Sequence, residues 1–220
     1  MKTEIRMTLD GSQTLYIEEI DEHYHSTFGA IQESQHIFIR EGFDLCTLAE
    51  VKVLEIGFGT GLNCYLTLLN GLKKDQQVHY YSVEKYPVPE TIWRNLEYSN
   101  HFPDSDSGFF DSIHTAPWNS DAVIDRQFTL RKIECDALQF DLIDLPSFDV
   151  VYFDAFSPDK QPEIWDHTIF ERLYSRMNEH GILVTYCAKG QIRRLLQTVG
   201  FRVERIPGPP GKREMLRARK

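Results

Sequence analysis

The chain has 220 residues and a formal net charge of −9, from 33 acidic and 24 basic side chains. That length buries a full core as one domain, and no repeat, low-complexity tract or long linker divides it. No apolar run reaches the roughly 20 residues of a spanning helix and Met1-Lys2-Thr3-Glu4 lacks a signal-peptide core, so the expectation is a cytoplasmic protein with no membrane contact.

In chain order, residues 1–50 stand apart from the remainder of the chain. Thr14-Leu15-Tyr16-Ile17 and Gln35-His36-Ile37-Phe38-Ile39 read as short strands around a polar segment with Tyr24, His25 and Ser26, an N-terminal β extension folded over one edge or mouth of the main unit, residues 51–220. From residue 51 strand and helix patterns alternate, which predicts an α/β fold with a mostly parallel sheet. Strands are expected at 51–56, 78–83, 128–133, 148–153, 181–186, 201–206 and 213–219, and helices at 62–72, 87–98, 162–178 and 190–198. Gly181 and Gly200 are placed as the C-terminal caps of the last two helices. Pro207-Gly208-Pro209-Pro210-Gly211 joins the last two strands closely enough for an antiparallel pair. Residues 99–127 are longer than an ordinary connection; their Phe109, Phe110 and Trp118 suit either a substrate contact or core and lid packing.

The first strand runs through Leu54-Glu55-Ile56 into Gly57-Phe58-Gly59-Thr60-Gly61-Leu62-Asn63, a turn in which backbone can closely approach a nucleotide. A dinucleotide fingerprint requires a further small residue where Leu62 stands, so a pyrophosphate ligand, and with it a nicotinamide dehydrogenase, is disfavoured. Glu55 near the strand end repels phosphate and suits the ammonium of a methionyl group, which points to S-adenosyl-L-methionine. The second strand ends in Glu84, at the spacing of an acid that accepts bonds from ribose hydroxyls, although a Glu closing a surface strand reads the same way. Asp136 and Ala137 follow the third strand where an acid meets the adenine amino group, and a helix N-cap is the competing role for Asp136. Together these residues predict a Rossmann-like class I methyltransferase fold with a seven-stranded, mostly parallel sheet and an antiparallel last strand.

The fourth strand ends at Asp154, beside the expected cofactor. Methyl transfer needs a lone pair aimed at the methyl carbon, so an amine acceptor must first shed a proton, and Asp154 is the candidate to orient it and take that proton. Phe156 and Pro158 offer an apolar wall for a planar base, and Ser157 a polar contact. The four cysteines form no Cys-x-x-Cys pairing and the eight histidines lack ligand spacing, so neither disulfides nor a metal is expected. Although the chain is acidic overall, residues 189–220 carry ten Lys and Arg against Glu204 and Glu214, a face that can hold a phosphate backbone or remain a solvated tail.

Three blocks carry a resemblance: Leu54 to Asn63, then Phe153-Asp154-Ala155-Phe156-Ser157-Pro158-Asp159-Lys160-Gln161-Pro162-Glu163-Ile164-Trp165, and Gly211-Lys212-Arg213-Glu214-Met215-Leu216. Over nearly its whole length the chain resembles the methyltransferase unit of the MnmC-type tRNA 5-methylaminomethyl-2-thiouridine biosynthesis proteins. The resemblance implies methyl transfer from S-adenosyl-L-methionine to the amine of 5-aminomethyl-2-thiouridine at the wobble position, with the tRNA anticodon loop as partner. It makes Asp154 the family's acid and sets Lys212 and Arg213 in its Lys-Arg-Glu-Met segment as substrate contacts. The family's two-domain form carries a flavin-dependent oxidase for which this chain leaves no room, so no flavin is expected. Competing readings are a methyltransferase or aminopropyltransferase for a small amine, and a non-catalytic tRNA-binding protein on a degenerate methyltransferase fold.

Overall fold

The computed structural model describes residues 2–103, 105, 108–140, 142 and 144–220. Strands β1 (Thr3–Met7), β2 (Gln13–Ile17) and β3 (Glu22–His23) form a small antiparallel sheet. Next comes helix α1 (Ala30–Ser34), which runs on as a π-helical turn over Gln35–Arg40. The strand expected at 35–39 is therefore helical. Ile37, Phe38 and Ile39 are all buried, which the alternation of an extended strand with one wet face does not allow. A short apolar run does not distinguish the two by pattern, and packing decides, with Phe38 against Tyr152 at 5.1 Å between ring centres.

The main unit comprises β4 (Glu50–Ile56), α2 (Leu62–Lys73), β5 (Gln77–Glu84), α3 (Glu90–Trp93), α4 (Gly108–Thr115), β6 (Asp121–Asp125), β7 (Phe128–Glu134), β8 (Phe148–Phe153), α5 (His167–Arg176), β9 (Met177–Thr185), α6 (Gly190–Val199), β10 (Arg202–Pro207) and β11 (Glu214–Arg219). They build one sheet in the order β10-β11-β9-β8-β4-β5-β7-β6, with β7, β5, β4, β8 and β9 parallel and β11 antiparallel to both neighbours. The class I methyltransferase fold and its antiparallel last strand are borne out. The sheet has eight strands rather than seven, because part of 99–127 returns as the antiparallel edge strand β6.

Two helices differ from expectation. Of 87–98 only α3 and a 3-10 turn at Tyr98–His101 form, since Pro87 and Pro89 supply no backbone N–H and hold the start extended. The stretch 162–178 divides into a 3-10 turn at Pro162–Ile164 and α5, which Asp166 caps by accepting the Thr168 N–H at 2.8 Å. Gly181 then lies inside β9 instead of capping a helix, in a stretch where the pairing with β8 shifts register. Gly200 does close α6, with φ +121° and its N–H on Gln197 O at 3.1 Å.

Successive residues of the central strands face opposite layers, so both faces are covered and the strands read as continuous apolar runs. Val53, Tyr80 and Tyr152 pack on one side, and Leu54, Val151 and Phe153 on the other against Trp165 and Phe170. No helix among the described residues is long and apolar enough to cross a membrane. Because Phe153 is fully buried one residue before Asp154, Phe153→Ala is expected to cost about 3–5 kcal/mol in urea unfolding. The exposed edge change Val123→Ala should stay within about 0.5 kcal/mol.

Candidate active site

Parallel pairing brings the ends of β4 and β8 out side by side. The Asp154 N–H reaches Ile56 O at 3.0 Å, and the Gly57 N–H reaches Val83 O at 2.9 Å. Gly57 adopts φ +95°, and a Cβ there would lie 2.5 Å from the Asp154 carbonyl oxygen, so only glycine lets these two backbones pass. Gly59, at φ +51°, donates its N–H to Glu84 Oε2 at 3.0 Å. The glycine turn and the acid of the second strand are thus one hydrogen-bonded unit.

A cavity of about 550 Å³ opens over these strand ends, roofed by residues 20–28 of the N-terminal segment. Gly57, Phe58, Gly59, Thr60, Asn63 and Glu84 line it, together with Asp136, Ala137, Asp154, Phe156 and Lys212. Asp136 also accepts the Leu138 N–H at 3.0 Å and pairs with Lys85 at 2.8 Å; residues 137–139 form a turn, so the acid caps a turn and not the helix N-terminus weighed for it. Five expected site residues lie off the wall. Glu55 is fully buried, taking Ser82 Oγ at 2.7 Å and Asn63 Nδ2 at 3.1 Å, and burial pushes its pKa up to about 8. It offers no charge to a ligand's ammonium, because its strand position turns it into the core behind Asn63. Gly61 serves instead as the left-handed residue that starts α2. Ser157 donates to Glu22 Oε2 at 3.1 Å, Pro158 is buried, and Arg213 is exposed on the last hairpin. The aromatics of 99–127 belong to the packing: Phe110 meets Tyr65, and Trp118 meets Phe58.

Asp154 faces the cavity yet is enclosed by protein. Asn63 Nδ2 donates to its Oδ2 at 2.8 Å, so one amide serves both Asp154 and Glu55. Desolvation, followed by the charge of Glu33, pushes Asp154 up to about 7, against the opposing pull of the Asn63 bond and Lys212. Sequence reasoning missed Glu33 and Tyr186, both of which line the cavity. No local motif marks either one; each arrives from an element remote in sequence.

Residues 118–220 match a family model described as S-adenosyl-L-methionine-dependent methyltransferase. Over that part the chain is similar to these methyltransferases. Its relatives are MnmC-type, as the Asp154 and Lys212 blocks suggested. The tRNA 5-methylaminomethyl-2-thiouridine biosynthesis bifunctional protein MnmC of Hydrogenovibrio crunogenus is 30% identical over 213 residues, covering 89% of this chain and 31% of that protein. The protein of the same name from Burkholderia thailandensis is 31% identical over 212 residues, covering 88% of this chain and 31% of that protein. The chain thus spans about a third of the length of the curated relatives it matches. MnmC2 from Aquifex aeolicus superposes with a TM-score of 0.78 at 27% identity, over 99% of this chain and 70% of that one. Spermidine synthase from Thermotoga maritima, with a TM-score of 0.62 at 14% identity over 99% of this chain and 68% of that one, shows the shared fold alone.

The cavity suits S-adenosyl-L-methionine, the family's methyl donor. Its volume is that of a small-ligand site. The glycine turn leaves close-approach room, Glu84 sits where ribose hydroxyls would donate, and buried Asn63 Oδ1, without a hydrogen-bond partner, is placed to accept from an ammonium.

Two outcomes are expected. Gly57→Ala and Gly59→Val should each abolish cofactor binding in calorimetry, the first through the Asp154 carbonyl clash and the second through Tyr24, 3.0 Å from the added Cβ. Both acids have folded pKa values raised above their unfolded ones, so the native state binds more protons and stability is lost as pH rises from about 4, where the unfolded carboxylates ionise, up through the folded values of about 7 and 8. Melting temperature should therefore decline across that range in the wild type and decline less in an Asp154→Asn, Glu55→Gln double variant.

Proposed function

We propose that the chain transfers a methyl group from S-adenosyl-L-methionine to the exocyclic primary amine of 5-aminomethyl-2-thiouridine at the tRNA wobble position, giving 5-methylaminomethyl-2-thiouridine. The carrying observation is Asp154: an acid at the end of β8, recessed in the cavity beside the glycine turn, with its proton affinity raised towards neutrality. The modified nucleoside in the name of the MnmC relatives is the product of this reaction, and the same nucleoside without its N-methyl group is the substrate. The work would be done in the cytoplasm, on an anticodon loop whose wobble base leaves its stack.

The bound donor supplies an electrophilic methyl on a sulfonium. Asp154, ionised, accepts a proton from the substrate's alkylammonium, which frees the nitrogen lone pair. With the donor bound, that lone pair would form the new N–C bond while the C–S pair returned to sulfur, and the product would be a protonated secondary amine. An amine with a pKa of roughly 10.4 facing an ordinary aspartate at roughly 3.9 must climb about 9 kcal/mol to hand over its proton. An acid near 7 cuts that by about half, at about 1.4 kcal/mol per unit. Asn63 keeps the carboxylate aimed into the cavity.

Among the described residues, four of the ten C-terminal cations are engaged in ion pairs: Lys189 with Asp159, Arg205 with Glu214, Lys212 with Glu33, and Arg217 with Glu41 and Glu204. Lys212 is therefore part of the pocket wall, and exposed Arg213 is the residue of that hairpin suited to a phosphate.

Mass spectrometry of wobble nucleosides from a strain lacking the protein should show aminomethyluridine species accumulating. In purified form Asp154→Ala should lower turnover by roughly 100-fold or more with cofactor affinity nearly unchanged. Arg213→Ala should raise KM for tRNA and reduce the salt slope by about 1. Methylation of putrescine or spermidine in place of aminomethyl-tRNA would favour a small-amine enzyme instead.

A further inference from the structure

We propose that Glu33 and Lys212 form the charge-setting pair of the acceptor pocket. Glu33 is a positioning residue that presents a second carboxylate to the amine's cation and keeps Asp154 ready to take its proton, while Lys212 restrains that push. The inference rests on the amine-acceptor reading of the cavity.

Glu33 is 6% exposed and comes from α1, far in sequence from the glycine turn. Its Oε2 accepts the Ser26 N–H at 2.6 Å, and its Oε1 lies 2.6 Å from Lys212 Nζ. The Lys212 ammonium sits 4.0 Å from the centre of the Tyr186 ring, whose hydroxyl donates to the carbonyl of Ala155 at 2.9 Å, beside Asp154. All four side chains, Glu33, Lys212, Tyr186 and Asp154, line the same cavity.

Counting charges over this group gives the pair its role. With Asp154 ionised, two carboxylates face one ammonium, and the surplus negative charge is matched by an incoming alkylammonium. Once the proton has moved to Asp154, Glu33 and Lys212 cancel and the amine is neutral, so neither the ammonium complex nor the free-amine complex holds an unpaired charge on the acceptor side. Glu33 raises the proton affinity of Asp154 and Lys212 lowers it. Without Lys212, Glu33 would itself be a nearly buried acid with no counter-charge.

The ionisable groups around Asp154 come from every element packed on it. Glu33 belongs to α1, Lys212 to the β10–β11 hairpin, Tyr186 to the end of β9, and Glu55 of β4 acts through Asn63. Glu22 and His25 line the cavity beyond them. Burial keeps Tyr186 neutral and holds His25 down to about 4, and Glu55 stays protonated until about 8. Near neutral pH the Glu33–Lys212 pair thus dominates the field at Asp154.

The competing role is a plain structural clasp between the N-terminal helix and the last hairpin. That junction has other contacts: His36 Nε2 meets Pro207 O at 2.9 Å, Arg217 meets Glu41 at 2.6 Å, and Phe28 packs on Gly211. Losing the pair should leave the hairpin in place.

The test is a carboxyl carbon NMR titration of ligand-free full-length protein, with Asp154→Asn used to assign the Asp154 resonance. Glu33→Gln should move the Asp154 midpoint down and Lys212→Met should move it up, each by roughly half a pH unit or more. Glu33→Asp, which keeps the charge, should return it towards wild type. Unmoved midpoints, or shifts of the same sign in Glu33→Gln and Lys212→Met, overturn the proposal. Should Glu33→Gln fail to fold, the sign of the Lys212→Met shift decides alone: upward supports it, and downward or none overturns it. The readout needs no acceptor, so a wild-type protein that methylates no aminomethyl-tRNA would sink the proposed function while this result is judged separately.

Discussion

The close passage of Gly57 against the carbonyl of Asp154 is the constraint on which the site depends. Two parallel strands deliver the glycine turn and the acid to the same point, and the ladder bonds Asp154 N–H to Ile56 O and Gly57 N–H to Val83 O set their depth. Any side chain at Gly57 would push the acid away from the turn. Glu84 extends the constraint to a third strand by taking the Gly59 N–H, so donor and acceptor ends of the cavity share one frame.

Behind that frame lies an economy of polar groups. Asn63 serves Glu55 and Asp154 with one amide nitrogen, Ser82 completes Glu55, and neither acid gains a full counter-charge at bonding distance. Both proton affinities rise as a result, which suits Asp154 to exchange a proton near neutral pH and leaves Glu55 a mainly protonated support for Asn63.

The N-terminal segment completes the enclosure. Tyr24 meets Phe156 edge-on at 5.1 Å, His25 lies between Thr14 and Thr60, and α1 reaches the last hairpin through Glu33. The β1–β3 sheet therefore holds a roof over the strand ends, and the residues that line the acceptor side come from both ends of the chain. On the far side, Lys132 donates to His114 O at 2.6 Å and His114 lies 3.0 Å from Thr60 O, bracing the turn from the connection before β6.

How much was legible in the sequence depends on the range of the interactions. The seven expected strands, the glycine turn with Glu84 and Asp154 at strand ends, and the MnmC-type blocks are local patterns: apolar runs buried on both faces, positive-φ glycines and acids at fixed offsets. The sequence by itself determined these, because strand period and turn geometry are set within a few residues. Tertiary structure alone decided the rest. Packing on Tyr152 made 35–39 helical, the start of β9 at Met177 moved Gly181 inside a strand, and side-chain direction put Glu55 into the core. Glu33, Tyr186 and Lys212 meet at Asp154 only when both chain ends close over the sheet, and no local pattern encodes a contact whose partners lie on separate elements.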